Sequence, residues 1–329
     1  MSTINTLSKS ISYEEDPNLS QDVKEFLKPL NAEGNLPLES LPVADARNVL
    51  TGAQETFKVD LSGIDESEKI IESAGFSITL NIARPEGEQG ITPAFMFIHG
   101  GGWVLGDYPT HKRMVRDLVV LTGYTGIFVE YKRAPEVKYP HPVNEVYAAA
   151  QWIAANGADI KVDGKRLAIV GNSAGGNLAA ATTLMAKENG GPEFKAQILF
   201  WPVTDANFDR ESWHLFGSQR FLTAPLMKWM WDQYVEPGKR TEIFASPLQA
   251  TAEQLKGLPP TLIQVAENDI LRDEGEAFGR KLLAAGVDAI TVRYNDVIHD
   301  WGLLNGLAEI PQTKALFEQA AATLKKYLK

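Results

Sequence analysis

The chain of 329 residues contains no cysteine. Disulfide bonds, a thiolate nucleophile and zinc sites built on cysteine are therefore excluded. Positive charge is also scarce, because 32 lysines and arginines are outnumbered by 42 aspartates and glutamates, which gives a net charge of −10. A protein this acidic has no overall electrostatic attraction to nucleic acid or to an anionic membrane, so we expect neither as a partner.

Long hydrophobic runs are missing as well. No stretch approaches the roughly 20 consecutive apolar residues of a membrane-spanning helix. Residues 1–21 are polar and include Glu14, Glu15 and Asp16, unlike the apolar segment of a secretory signal. We therefore expect a cytoplasmic protein without a membrane anchor. The 44% hydrophobic and 22% charged residues that are present are ordinary for a globular protein with a sizeable core.

Short apolar segments alternate with helical ones along most of the chain. Two strands at 69–73 and 76–83, split by Ala74-Gly75, predict a hairpin. Further strands are predicted at 93–98, 125–130, 166–171, 196–201, 261–266 and 289–294. Of the helices, an early one is expected to end at Pro29 and another to begin at Thr110. This alternation predicts an α/β fold whose mostly parallel, eight-stranded sheet carries helices on both faces.

The segment around Ser173 carries the first chemical signal. Apolar residues 167–170 predict a buried strand and 177–186 a helix, with a Gly-x-Ser-x-Gly motif between them. So sharp a turn leaves no room for side chains at Gly171 and Gly175. It presents the Ser173 hydroxyl above the sheet, at a helix N-terminus that favours negative charge. The Gly-x-Ser-x-Gly pattern alone is equally compatible with a nucleophilic Ser173 and with a tight turn that has no chemical role.

A second glycine-rich segment, His99-Gly-Gly-Gly-Trp103, follows the predicted strand 93–98. Adjacent glycines let the backbone direct its N–H groups at a ligand, which in acyl transfer is the oxyanion of the tetrahedral intermediate. A mobile loop is the plain alternative. A phosphate-binding loop is disfavoured because Leu105 occupies the place of the third glycine in Gly-x-Gly-x-x-Gly. We expect His99 to hold this loop by hydrogen bonds rather than to act as a base.

Residues 204–238 interrupt the alternation with many aromatic side chains where a simple crossover is expected. Within them, 223–235 predicts a helix with Thr223 as the N-cap and Pro225 in the first turn. Because this helix is apolar nearly all round, we expect it to be covered on every side. Packed on residues 1–60 and over the serine edge of the sheet, it would line an apolar pocket.

Five motifs in chain order resemble those of the bacterial hormone-sensitive-lipase-like carboxylesterases (family IV). They are His99-Gly-Gly-Gly-Trp103, Tyr131-Lys-Arg-Ala-Pro-Glu136, Gly171-Asn-Ser-Ala-Gly175, Asp269-Ile-Leu-Arg-Asp-Glu-Gly275 and His299. The resemblance covers the chain from about residue 68 to its end. It implies an α/β-hydrolase fold with a helical cap, in which 1–60 and 204–240 form the cap and 61–203 and 241–329 the hydrolase core. It also implies short-chain acyl esters as substrates.

As a nucleophile, Ser173 needs a base within reach and a carboxylate to orient that base. α/β-Hydrolases carry these groups in the order serine, acid, histidine. Only His214 and His299 follow Ser173, and His299 is the better base because His214 lies in the predicted cap. For the acid, Asp269 follows the strand 261–266 and matches the family motif. The sequence therefore predicts a Ser173-His299-Asp269 triad.

Other polar residues adjoin this triad. Glu267 and Asp273 compete as the acid, although Asp273 is expected to stabilise the start of the following helix. Asn172 stands where the family usually has Asp or Thr, so its hydrogen bonds are expected to differ. Asp300-Trp301 replaces the usual Gly-Phe after the histidine. We expect this pair to narrow the alcohol side of the pocket, with Asp300 itself solvated.

The predicted mechanism, by way of an acyl-enzyme, requires neither a metal nor an organic cofactor. The oxyanion donors are predicted to be Ala174 and two residues of the glycine loop, with Gly100 and Gly101 favoured over Gly102. An unperturbed histidine pKa of ~6.5 predicts turnover that rises between about pH 6 and about pH 7.5. The candidate pocket walls are Trp103, Trp213, His214, Phe216 and Phe221.

Two other functions share this fold. An amidase or deacetylase acting on acetylated small molecules would use the same acylation chemistry. A non-catalytic small-molecule receptor would keep the cap but lose the histidine, so the presence of His299 favours hydrolysis of a small-molecule ester. The bulk of Trp103 favours a pocket for acyl groups of roughly two to six carbons. The amphipathic segment 312–328 could cover the sheet or a partner, which leaves a homodimer open.

Overall fold

The computed structural model describes residues 11–329, which are built around one sheet of eight strands. The strands are β1 Ile64–Ser73, β2 Phe76–Pro85, β3 Thr92–Ile98, β4 Thr125–Glu130, β5 Val162–Asn172, β6 Gln197–Phe200, β7 Thr261–Asn268 and β8 Ala289–Ile298. Their order is β1-β2-β4-β3-β5-β6-β7-β8. β1 and β2 form the predicted hairpin, β2 also pairs antiparallel with β4, and all later neighbours are parallel. The predicted sheet is confirmed.

Helices cover both faces of this sheet. They are α1 Gln21–Leu30, α2 Val43–Glu55, α3 Tyr108–Thr122, α4 His141–Asn156, α5 Ala174–Asn189, α6 Glu211–Phe216, α7 Ala224–Tyr234, α8 Ala252–Leu255, α9 Arg272–Ala284 and α10 Pro311–Tyr327. In β3, Ala94 and Met96 belong to the core that includes α4, α5 and α9, whereas Phe95 and Phe97 belong to the core with α1, α3 and α10. All residues of β3 are buried, as expected of a central parallel strand.

Several helix ends differ from the prediction; α5, for example, extends beyond the predicted 177–186 at both ends, and two further differences have a local cause. α3 begins before Thr110 because Asp107 is the N-cap, whose side chain accepts from the N–H of Thr110 while the Thr110 hydroxyl accepts from the N–H of Asp107. α1 continues past Pro29 to Leu30, because a proline in the last turn removes only one backbone hydrogen bond near the helix end. These differences are confined to the ends of predicted helices.

Residues 204–240 contain α6 and α7. The N-cap of α7 is Thr223, whose hydroxyl accepts from the N–H of Leu226 at 3.3 Å, as predicted. One side of α7 is buried, with Trp231 fully so, but Lys228 and Asp232 are exposed. The expectation that this helix is covered on every side was therefore wrong, because its two charged residues lie one turn apart on a solvent-facing side.

The N-terminal segment is attached to the loops after β3 and β4. Arg47 of α2 donates to the carbonyl of Val104 at 2.8 Å and to both carboxylate oxygens of Glu136 at 2.7 and 2.8 Å. It also donates to the carbonyl of Ala134 at 3.0 Å. One guanidinium therefore joins two of the loops that carry the sequence motifs. Across residues 11–329, no helix is both long and apolar enough to cross a membrane.

Candidate active site

Ser173 lies in the sharp turn between β5 and α5. Its backbone has φ 53° and ψ −121°, a conformation that non-glycine residues rarely adopt. A Cβ on Gly171 would lie 2.3 Å from the carbonyl oxygen of Gly175, and a Cβ on Gly175 would lie 2.0 Å from that of Ile98. Glycine is therefore required at both positions, as the sequence predicts. This constraint holds Ser173 at the N-terminus of α5.

The structure brings Ser173, His299 and Asp269 together from the carboxyl ends of β5, β8 and β7. Oγ of Ser173 lies 3.0 Å from Nε2 of His299, and Nδ1 of His299 lies 2.7 Å from Oδ2 of Asp269. Because a carboxylate only accepts, Nδ1 carries the hydrogen and Nε2 is left to accept the serine proton. The three side chains form one continuous hydrogen-bonded chain.

The three hydrogen-bonded residues are all buried, with 3% of Ser173, 2% of His299 and 1% of Asp269 exposed. Burial alone would lower the pKa of His299, but the carboxylates of Asp269 and Asp300 outweigh it and raise that pKa above its ordinary value. His299 therefore holds its proton to a higher pH than the unperturbed histidine assumed from the sequence.

The competing acids have other partners. Glu267 accepts from the backbone N–H of Asp296 at 3.0 Å, and Asp273 accepts from the backbone N–H of Ser212 at 2.8 Å. Of the three, Asp269 is the carboxylate that reaches His299. In the described part of the chain, no group of three or more histidine, aspartate or glutamate side chains is placed to hold a metal ion.

The glycine loop after β3 adjoins the turn that carries Ser173. Nδ1 of His99 donates to the carbonyl of Gly100 at 2.8 Å, which confirms the predicted role of His99 in holding the loop. The N–H of Gly100 donates to Oδ1 of Asn172 at 2.9 Å. Since that single N–H is already used, the preference for Gly100 as an oxyanion donor was wrong. Gly101 and Gly102 are the remaining candidates in the loop.

Three backbone N–H groups in the described part of the chain stay free beside Ser173. Within residues 11–329, the backbone N–H groups of Gly101, Gly102 and Ala174 have no hydrogen-bond acceptor. Ala174 is the first residue of α5, where an unpaired N–H is normal. A Cβ on Gly102, whose φ is 60°, would lie 2.0 Å from Sδ of Met230 in α7. The helix of the insertion therefore packs directly on the part of the loop that keeps its free donors.

Residues 95–303 match a protein family described as the alpha/beta hydrolase fold. The chain belongs to this family. It is similar to carboxylesterase NlhH of Mycobacterium tuberculosis, with 32% identity over 239 residues that cover 72% of this chain and 74% of the relative. An esterase of Gibberella moniliformis is 30% identical over 319 residues, which cover 91% and 97% of the two chains. The family expected from the five motifs is confirmed.

Solved structures agree with this assignment. The crystal structure of a thermostable esterase from Pseudomonas putida has 53% sequence identity and a TM-score of 0.94, with 95% of this chain and 99% of that chain covered. A fungal esterase from Rhizomucor miehei has 35% identity and a TM-score of 0.89, with 94% and 97% covered. The α/β-hydrolase architecture is thus shared over nearly the whole chain.

In this α/β-hydrolase the ring of Trp103 packs beneath the insertion. It is fully buried, stacks on Tyr234 with ring centroids 4.2 Å apart, and meets Trp231 edge-on at 4.8 Å. Both partners belong to α7. The structure therefore gives Trp103 a packing role under α7, and its contact with substrate stays a prediction.

The other predicted walls of the hydrolase pocket belong to α6 and the loop after it. Trp213 and Phe216 are buried, and Phe221 is half-buried where the two cores meet. Their contact with substrate stays a prediction. His214 instead lies at the surface, where its side chain is 43% exposed and pairs with Asp209 at 2.8 Å. The prediction that His214 lines the pocket was wrong.

Asp300 and Trp301 differ most from expectation. Asp300 is 5% exposed, and its Oδ1 accepts from the indole N–H of Trp201 at 2.6 Å and from the amide of Asn172 at 3.3 Å. Trp301 is fully buried against Trp201 and Tyr294, in the core on the face opposite α7. Asp300 is therefore not solvated, and Trp301 does not narrow the pocket. A charged residue directly after the predicted base was the signal that could have marked Asp300.

Proposed function

We propose that this carboxylic ester hydrolase cleaves short-chain esters through an acyl-enzyme on Ser173. The observation that carries the proposal is the hydrogen-bonded chain from the Ser173 hydroxyl through His299 to Asp269. A serine hydroxyl is a weak nucleophile until a base takes its proton, and this base is oriented by a buried carboxylate.

Acylation begins when Oγ of Ser173 attacks the ester carbonyl carbon and its proton moves to Nε2 of His299. The carbonyl oxygen becomes an oxyanion that accepts from the free N–H groups of Gly101, Gly102 and Ala174. Collapse of this intermediate breaks the bond to the alcohol oxygen, which leaves with the proton from Nε2. The acyl group remains on the serine.

Deacylation repeats the sequence with water. The water gives a proton to His299 and attacks the acyl carbonyl carbon, and the second tetrahedral intermediate uses the same oxyanion donors. Its collapse releases the carboxylic acid and returns the proton to the serine oxygen. Asp269 stays ionised throughout and holds the imidazole in one orientation.

Short acyl groups are proposed because the space beside the oxyanion donors is limited. Sδ of Met230 lies against Gly102, and the volume beneath α7 is filled by Trp103, Trp231 and Tyr234. A pocket that ends on a packed aromatic cluster takes few methylene groups before the cluster must move. The names of the relatives, which are esterases, support the ester class.

The test is hydrolysis of p-nitrophenyl acetate by the wild type, Ser173→Ala and His299→Ala. We expect each variant to lose about a thousandfold or more in kcat, with the fold intact by circular dichroism. His214→Ala is the matched control, because it removes the only other histidine after Ser173, and it should leave kcat unchanged. Activity that survives the loss of Ser173 would overturn the proposal.

A series of p-nitrophenyl esters tests the acyl length separately. We expect kcat/KM to be highest with acetate or butyrate and to fall with octanoate and palmitate. A maximum at the long-chain esters would contradict the short-chain proposal while leaving the serine mechanism in place. The anilide of acetic acid, assayed beside the acetate ester, distinguishes an amidase from an esterase.

A further inference from the structure

Asp300 places a second buried carboxylate beside the catalytic base. Its Oδ2 lies 3.8 Å from Nε2 of His299, the ring nitrogen that also faces Ser173. Asp269 occupies the other side of the ring, at Nδ1. The nucleophile–base–acid chain is complete without Asp300. An unpaired charge is costly to bury, so a carboxylate that is only 5% exposed must be compensated by its neighbours.

The hydrogen bonds of Asp300 leave one oxygen directed at the imidazole. Oδ1 accepts both from the indole N–H of Trp201 at 2.6 Å and from the amide of Asn172 at 3.3 Å. Burial raises the pKa of Asp300 above its ordinary value, and these two donors, together with the charge of His299, oppose that effect by stabilising the ionised carboxylate. Oδ2 is left with His299 as its charged neighbour.

The distance between Oδ2 of Asp300 and Nε2 of His299 permits a charge interaction between the two groups but not a hydrogen bond. At 3.8 Å the pair is too far apart for a hydrogen bond, so Asp300 does not capture a proton on Nε2. A unit charge at this distance in a buried site nevertheless favours the cationic form of the ring. Asp300 can therefore stabilise the imidazolium while the Nε2 proton stays available to the leaving alcohol.

We propose that Asp300 is a positioning residue of the active site that stabilises the imidazolium of His299 formed when Ser173 attacks. The inference rests on the proposed roles of Ser173 and His299. Asp300 touches no reacting atom of the substrate in this scheme and acts through the base. Its hydrogen bonds to Trp201 and Asn172 hold its free oxygen in place.

The other groups around the base are neutral. His299 also faces the hydroxyl of Ser173 and the edge of the Trp201 ring. Behind Asn172 lies His111, whose pKa is lowered to about 4 by burial, so that its ring carries no charge near neutral pH. The carboxylates of Asp269 and Asp300 are thus the charges that oppose the effect of burial on His299.

The direction in which Asp300 shifts the pH profile follows from the opposing effects of burial and of the two carboxylates on the pKa of His299. The active base is the neutral imidazole, which exists above the pKa of His299. The carboxylates raise that pKa, so they move the acid limb of the kcat/KM profile to higher pH. Removing the charge of Asp300 must move the limb to lower pH. The expected displacement is about one pH unit, as for other charges lost within a few ångströms of a titrating group.

The experiment compares the pH profile of kcat/KM for the wild type, Asp300→Asn and Asp288→Asn. Asp300→Asn removes the charge but keeps an oxygen that can accept from Trp201. Asp288→Asn makes the same chemical change at an exposed position just before β8, so it controls for net charge. We expect the acid limb to move down by about one pH unit in Asp300→Asn and to stay in place in the control.

The protonation of His299 is also measured directly, by the titration of its ring nitrogens in 15N NMR, in the Ser173→Ala background. The chain has only five histidines, and a His299→Gln variant identifies the resonance. The midpoint should fall in Asp300→Asn, or in Asp300→Ala if the amide prevents folding. An unmoved midpoint, with or without a loss of kcat or Tm, would overturn the inference. Failure of the serine mechanism would appear separately, as activity retained by Ser173→Ala.

Discussion

The backbone N–H of Gly100 donates to Oδ1 of Asn172 across 2.9 Å, and this bond joins the glycine loop to the residue before the nucleophile. The amide nitrogen of Asn172 faces Oδ1 of Asp300 at 3.3 Å and Nε2 of His111 at 3.4 Å. Nδ1 of the neutral His111 lies 3.2 Å from the carbonyl of Asp107, to which it donates, and Nε2 is left as an acceptor. Residue 172 must therefore accept on one side and donate on the other, which an amide does and a carboxylate does not.

Asn172→Asp is expected to lower kcat by roughly tenfold to a hundredfold, because an oxygen then faces Asp300 and the loop with the oxyanion donors loses its fixed position. Asp300→Asn in the same chain removes one of the two facing charges while an oxygen still accepts from Trp201, so the loss of kcat in the double variant should be smaller than the product of the two single losses. The measurement is kcat and KM for p-nitrophenyl acetate, with thermal unfolding as the check on the fold. If the free-energy changes that correspond to the two single losses of kcat simply added in the double variant, the two side chains would not interact.

The parts of the site that depend on local sequence could be predicted. The crowding at Gly171 follows from the turn itself, and the alternation of strands and helices brings Asp269 and His299 to the edge that carries Ser173. A parallel sheet collects its carboxyl ends on one edge, so residues far apart in the chain meet there without any contact having to be known in advance.

The parts that depend on specific partners could not be predicted. The backbone N–H of Gly100 differs from those of Gly101 and Gly102 in having an acceptor, the side chain of Asn172, which lies 72 residues away in the chain. The burial of Asp300 likewise requires Trp201, which is 99 residues away in the chain. A charged side chain is expected in solvent until the donors that satisfy it are known. The packing of Trp103 under α7 has the same origin, because both partner rings belong to the insertion.

Gly102→Ala tests the contact between the glycine loop and α7, together with the proposed role of the Gly102 N–H as an oxyanion donor. The new Cβ would lie 2.0 Å from Sδ of Met230, so either α7 or the loop must move. We expect a loss of at least about a hundredfold in kcat, the usual effect of a lost oxyanion donor. Met230→Ala in the same chain should recover part of this loss. Recovery stays partial because alanine is strained at φ 60°.

Gly123→Ala is the matched control for this backbone strain. Gly123 ends α3 with φ 76°, but a Cβ there would meet no atom within 4 Å. Gly123→Ala should lower the free energy of unfolding by about 1 kcal/mol without changing kcat. If Gly102→Ala behaved in the same way, the N–H of residue 102 would not be an oxyanion donor.

A buried ion pair joins the N-terminal segment to the insertion. Nη2 of Arg220 lies 2.6 Å from Oδ2 of Asp16, with side chains 2% and 5% exposed. Asp16→Asn is expected to lower the free energy of unfolding in urea by about 3 kcal/mol, because it leaves the guanidinium without its counter-charge. Adding Arg220→Met should return part of this stability. A further loss in the double variant would contradict the buried-pair explanation.

An exposed pair provides the control for Asp16→Asn. Nζ of Lys314 lies 2.9 Å from Oε2 of Glu309, with side chains 58% and 89% exposed. Glu309→Gln removes a charge of the same sign from a similar contact in solvent. Its effect on the free energy of unfolding should stay below about 1 kcal/mol.

Glu274 links the pH dependence of stability to the start of the insertion. It is fully buried in the first turn of α9, and its Oε1 accepts from the N–H groups of Thr204 and Asp205 at 2.8 and 3.2 Å. Burial raises the pKa of Glu274 to about 8, and the charge of Asp205 adds to this while the two N–H donors oppose it. The carboxyl group is therefore protonated in the folded protein at neutral pH.

Glu274→Gln is expected to flatten the loss of stability toward alkaline pH. The unfolded carboxyl titrates near ~4.3, so between that pH and the folded pKa the folded state binds the extra proton and stability falls as pH rises. Glutamine keeps an accepting oxygen for Thr204 and Asp205 but has no proton to lose. The Tm of the variant should match the wild type near about pH 4 and exceed it above about pH 8. Exposed Glu318→Gln on α10 is the control and should give the wild-type slope. Parallel curves for Glu274→Gln and the wild type would show that this carboxyl is ionised in the fold, and that the start of the insertion is held by a carboxylate rather than by a neutral acid.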